Sequence, residues 1–127
     1  MLEILINAVM VLFAPILFII AGAIQKNHPP KNINRTVGFR TALSMESQEA
    51  WDYANKQIGV YWVKVGIVEL IVSVIAVILL TVLLKGMFTT TRMIATFIMV
   101  IEVMGAMIPV NMVNKELMQM KKEKSEM

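Results

Sequence analysis

Apolar residues fall into three long blocks, at residues 4–24, 58–84 and 93–113, with polar stretches between and after them. Each block reaches the ~20 residues that a helix rising 1.5 Å per residue needs to cross a ~30 Å hydrocarbon layer. The pattern predicts an all-α protein, a membrane-spanning three-helix bundle. It leaves no stretch large enough for a separate soluble core, so residues 1–127 are expected to form a single integral membrane domain. Pro15 interrupts the first block, which a membrane helix tolerates when the freed carbonyl finds a local partner. Pro109 is expected to bend the third helix near its end. A cleaved signal sequence is the rival reading of the first block, but Glu3 makes its start acidic and its apolar run is too long. The expectation is a retained anchor.

The connector at residues 25–57 begins with Gln25 and contains the pair Pro29-Pro30, which stops the first helix. It then reads Asn34-Arg35-Thr36-Val37-Gly38-Phe39-Arg40-Thr41. Gly38 accepts a positive φ, and Arg40 carries a planar fork of donors suited to carboxylate or phosphate, with the Thr41 hydroxyl beside it. This turn is read either as a structural one, in which Arg40 holds a neighbouring loop or a lipid phosphate, or as a ligand site. Ser47 is a candidate N-cap with Glu49 in the first turn. Ala50, Trp51, Ala54 and Ile58 recur at helical spacing, predicting a short interfacial amphipathic helix with an exposed Asp52–Lys56 pair. Trp51, Tyr53, Tyr61 and Trp62 suit the headgroup level.

Composition sharpens this in three ways. Without cysteine and with one histidine, His28, the chain has no thiolate or histidine-rich metal site, and no cofactor or metal is expected. A net charge of +3 is too small to point to nucleic acid. The distribution of charge matters more: residues 25–57 and the tail at 114–127 hold nine lysines and arginines, the opposite side only Lys85 and Arg92. Positive residues collect on the cytoplasmic side, which predicts a cytoplasmic connector and carboxy terminus, with the amino terminus outside. The tail itself reads as a solvated or surface-lying extension of the last helix. The twelve methionines form no dense metal-uptake array and read as flexible packing.

Three charged residues lie inside the apolar blocks. Lys64 can extend its ammonium to the headgroups, whereas Glu69 and Glu102 cannot. With the second and third spans antiparallel, the two carboxyls lie about 14 and 17 Å from one membrane face, level to within a turn. They could share a proton, bind a cation, or pair with a base such as Lys64, Arg40 or one from another subunit. Ser73, four residues after Glu69, could share its face, and Gly66, Gly105 and Ala106 suit close helix contact. Three helices are few for a transport path, so a transporter or proton-coupled unit built on this pair would be a homo-oligomer. No protease, hydrolase, Walker or dinucleotide motif is present, so no catalytic residue is assigned and an intramembrane enzyme is the least supported reading.

Gly38-Phe39-Arg40-Thr41, Ser44-Met45, Glu49-Ala50-Trp51 and Ala54-Asn55-Lys56, with Asn34 four residues before Gly38, resemble the signature of the SdpI family of small bacterial membrane proteins. The founding member is an immunity protein against a secreted peptide toxin and a receptor that sequesters a transcriptional repressor at the membrane. The resemblance implies a bacterial plasma-membrane protein of immunity or signalling type. Its expected partners are the lipid bilayer, a peptide toxin or lipid ligand, and a cytoplasmic regulator. Its positions to test are Asn34, Gly38, Arg40, Thr41, Glu49, Trp51 and Asn55. The founding protein has more spans than the three counted here.

Overall fold

The computed structural model describes residues 1–127, and its regular elements are all helices, without strands. Helix α1 (Leu2–Asn27) is followed by an irregular connector, α2 (Gln48–Leu83), a tight turn, α3 (Phe88–Gly105) and α4 (Met107–Glu126). Three helical stretches are long and apolar enough to cross a membrane: α1, α2, and α3 with α4 taken together. Only 20 of 127 residues are buried, and Leu5, Phe13, Ile67, Ile75, Phe97 and Met104 are exposed. Such a surface is far more apolar than a water-soluble monomer presents, and it is the surface that lipid requires.

The amphipathic segment expected as a separate interfacial helix is the first part of α2. Ser47 caps it, its hydroxyl accepting the Ala50 N–H at 3.1 Å. From there the helix runs unbroken through Leu83. No proline lies between the polar start and the apolar span, and Gly59, the residue that most weakens the joint, sits against α1. A Cβ there would lie 2.4 Å from the Lys26 nitrogen and 2.7 Å from the Gly22 carbonyl. Gly22 meets the Gly59 carbonyl and Gly66 meets the Pro15 carbonyl, so the antiparallel α1 and α2 pack backbone to backbone along two turns.

The third span breaks one turn before Pro109. Proline has no N–H to give to the carbonyl four residues back, which is that of Gly105, and the helix ends there. Ala106 closes the last turn with a tighter bond to the Val103 carbonyl at 3.3 Å, and α4 restarts at Met107. The tail is only partly a solvated extension. Val113 and Leu117 are buried with Phe39, Ala54 and Ile58 in the one apolar cluster at this end, while residues from Lys121 onward are exposed. Helix α4 is thereby folded onto the connector and the start of α2 rather than projecting away.

Candidate functional site

The connector is held by the side chain of Asn55. Its Oδ1 accepts from the Phe39 N–H at 2.6 Å and from Gln25 Nε2 at 2.7 Å, and its Nδ2 donates to the Trp51 carbonyl at 3.0 Å. One fully buried carboxamide thus joins the end of α1, the turn at Phe39 and the first turns of α2. Gly38 precedes that turn with φ +110°. A Cβ there would stand 2.5 Å from Asn55 Oδ1 and 2.7 Å from Pro30 Cγ, so both conformation and space require glycine. Trp51, with no exposed surface, donates its indole N–H to the Pro30 carbonyl at 2.7 Å. It is a buried strut rather than part of an interfacial belt.

The rest of the signature closes the loop on itself and on α4. Asn34 Oδ1 accepts the N–H groups of Thr36 at 2.9 Å and Val37 at 2.7 Å, a side-chain turn typical of asparagine. The Ser44 hydroxyl meets the carbonyls of Phe39 and Thr41, each at 2.9 Å, and accepts from the Thr41 N–H. Thr41 Oγ1 donates to Asn114 Oδ1 at 2.8 Å, tying the connector to α4. Glu116 accepts from both Tyr53, at 2.8 Å, and Tyr61. Burial, the hydrogen bond and the Glu116 charge together push the Tyr53 phenol up from 10.0 to about 12. Glu49 pairs with Lys124, and Glu46 with Lys121 at 3.0 Å, on the exposed side. Asp52 accepts from Gln48 at 2.7 Å and makes no ion pair with Lys56.

Arg40 differs from its neighbours. It is exposed, its guanidinium donates to the Arg35 carbonyl within its own loop, and it has no carboxylate partner. Of its five donors, the one bond recorded is to the Arg35 carbonyl, so the others are free to meet a ligand.

The intramembrane charges form a second cluster. The Ser73 hydroxyl contacts the Glu69 carbonyl at 2.6 Å and a carboxyl oxygen of Glu102. The Glu69 carboxyl lies over Gly105, where a Cβ would be 2.5 Å from Oε1. Neither acid has a basic partner, and Oε2 of each is buried with no hydrogen bond. Lys64 is exposed, its ammonium 6.0 Å from the centre of the Tyr61 ring. Lys64 and Arg40 are thus excluded as ion-pair partners of the acids. No group of three or more metal-binding side chains is present.

Most of the partners of these motif residues were not visible in the sequence. Gln25 and Pro30 were read as linker, and Asn114 and Glu116 as solvated tail. Their partners lie 30, 21, 73 and 63 residues away, beyond any local periodicity.

Fold and site together define a small multi-pass helical membrane protein with a structured polar connector after its first span. The family described as the SdpI/YfhL protein family matches residues 31–111, more than half of the chain, and the chain belongs to that family. It is 50% identical over 40 residues to the uncharacterized protein YfhL of Bacillus subtilis (strain 168); the match covers 32% of this chain and 36% of that relative. No solved structure matches.

Proposed function

We propose that this protein is a non-enzymatic immunity or sensor protein of the bacterial plasma membrane, with the connector as its cytoplasmic functional surface and Arg40 as the contact residue. The observation that carries the reading is the contrast within the motif. Gly38, Thr41, Trp51 and Asn55 are engaged inside the protein, Asn34 within its own exposed turn and Glu49 with Lys124, whereas the Arg40 guanidinium is presented outward without an acid to neutralise it. Such a group recognises a carboxylate or phosphate, from an acidic peptide segment, a regulator or a lipid headgroup. Family membership and the positive charge of residues 25–57 support the class and the orientation. The test is protection of a sensitive host against a membrane-active secreted peptide. Arg40→Ala is expected to insert normally and lose protection, and normal protection by that variant would remove Arg40 from the mechanism.

A second reading, a proton-coupled unit that is oligomeric, has its own support in the Glu69, Ser73 and Glu102 cluster. A serine hydroxyl has one proton. When Ser73 gives it to the Glu69 carbonyl, as helix serines commonly do, the contact with Glu102 is a hydrogen bond only if Glu102 is the donor, and hence protonated. Proton flux in liposomes is the test. Loss of flux in both Glu69→Gln and Glu102→Gln is the result this reading expects, and unchanged flux in both variants would end it.

A further inference from the structure

The end of the bundle remote from the connector holds a cavity of about 210 Å³, enclosed by the start of α1, the last turns of α2 and the first turn of α3. Val77, Leu80 and Phe88 give it apolar walls, and Asn7, Thr81 and Thr91 its polar lining. Asn7 is only 6% exposed, yet its Oδ1 has no hydrogen-bond partner. Both threonines spend their protons on their own helices, Thr81 on the Val77 carbonyl at 2.7 Å and Thr91 on the Met87 carbonyl at 2.9 Å. Each of the three side chains therefore offers an oxygen with an unused lone pair. A buried carboxamide oxygen left unpaired is destabilising, a cost that an aliphatic side chain at this position would not carry.

Charge and size narrow what fits. Glu3 lines the cavity but is neutralised by Arg92, and Lys85 lies on the same rim, so nothing there attracts an ammonium. The volume exceeds the ~150 Å³ that accommodates a benzene ring and falls below the ~300 Å³ at which drug-sized pockets begin. We infer that this cavity binds a small neutral amphiphile, an apolar group of about one aromatic ring bearing a hydroxyl that donates to Asn7 Oδ1. The site lies at the opposite end of the bundle from Arg40 and stands independently of the role proposed for the connector.

The test uses the full chain in phospholipid nanodiscs, with benzyl alcohol and toluene as probes of equal ring size. Benzyl alcohol is expected to shift the Asn7 carboxamide resonances saturably and to bind about tenfold more tightly than toluene, the worth of one buried hydrogen bond. In Asn7→Val, followed on the Val77 and Leu80 methyl resonances, benzyl alcohol is expected to weaken about tenfold and toluene to change by no more than about twofold. Should the position 7 variant not fold, the preference of the unaltered protein for benzyl alcohol over toluene carries the test, and Thr81→Val, which leaves the carboxamide in place, is expected to keep that preference. Equal affinity of the two probes for the unaltered protein, or shifts that never saturate, would overturn the inference.

Discussion

The connector end and the membrane interior of this protein treat polar groups in opposite ways. Around Asn55, buried donors and acceptors are matched across three elements: Phe39 and Gln25 to the carboxamide, Trp51 to Pro30, Thr41 to Asn114. Deeper in the bundle, Glu69, Glu102 and Asn7 each keep a buried oxygen without a partner. A fully paired network makes a single rigid arrangement, while an unpaired buried group is a standing cost that a ligand or proton can relieve. The central motif of this chain is thus mainly the architecture of a loop. The groups left over are Arg40 outside and, inside, the two acids, Asn7 and the indole N–H of Trp62 beside the connector-end cluster.

Breaking the paired side should give the largest effect. Asn55→Ala leaves the Phe39 N–H without its buried acceptor and frees Gln25, and is expected to destabilise the connector by about 2–4 kcal/mol. Limited proteolysis within residues 28–47 checks it, and cleavage as slow as in the unaltered protein would show that the carboxamide is not the tie. Gly38→Ala combines a strained φ with a clash against Asn55 and Pro30, for an expected cost of about 1–3 kcal/mol in thermal unfolding.

The unpaired side should respond differently. Glu102→Gln keeps the shape of a protonated carboxyl and its bond to Ser73, so stability should change by less than about 1 kcal/mol. A large loss on that substitution would mean that Glu102 is held as a charged group. Tyr53 belongs to the paired side, its phenol bound to Glu116. Its folded pKa, about 12, lies above the unfolded value of 10.0, so its stabilisation is complete below pH 10.0 and is lost as pH rises through about 12. Ultraviolet titration of the phenols should show this late ionisation, moved earlier by Glu116→Gln. Smallest of all, Lys124→Ala removes an exposed pair with Glu49 and should shift stability by no more than about 0.5 kcal/mol.

How much of this was legible beforehand follows from the range of each interaction. The three spans were plain because twenty apolar residues in a row are a local signal. The Ser47 cap and the need for glycine at position 38 were also local. The unbroken passage from the polar start of α2 into the membrane was not, because a change from polar to apolar composition resembles a boundary when nothing in the residues breaks the helix. The break at Ala106 was placed one turn too late, since a proline removes the bond of the residue four positions earlier. Arg40 could be singled out, but that Thr41, Trp51 and Asn55 are spent on internal bonds while Arg40 is not depends on where Asn114, Gln25 and Pro30 come to lie. The cavity beside Asn7 needs three helix ends at once and leaves no mark on any one of them.

The central claim is that the motif divides into residues that build the loop and one that makes the contact. The most direct measurement pairs thermal stability with host protection for Arg40→Gln and Asn55→Ala, each at matched membrane abundance. Arg40→Gln should melt within about 0.5 kcal/mol of the unaltered protein and fail to protect, since an exposed side chain contributes little to folding. Asn55→Ala should lose stability and protection together. Full protection by Arg40→Gln, or a large loss of stability in it, would contradict that division.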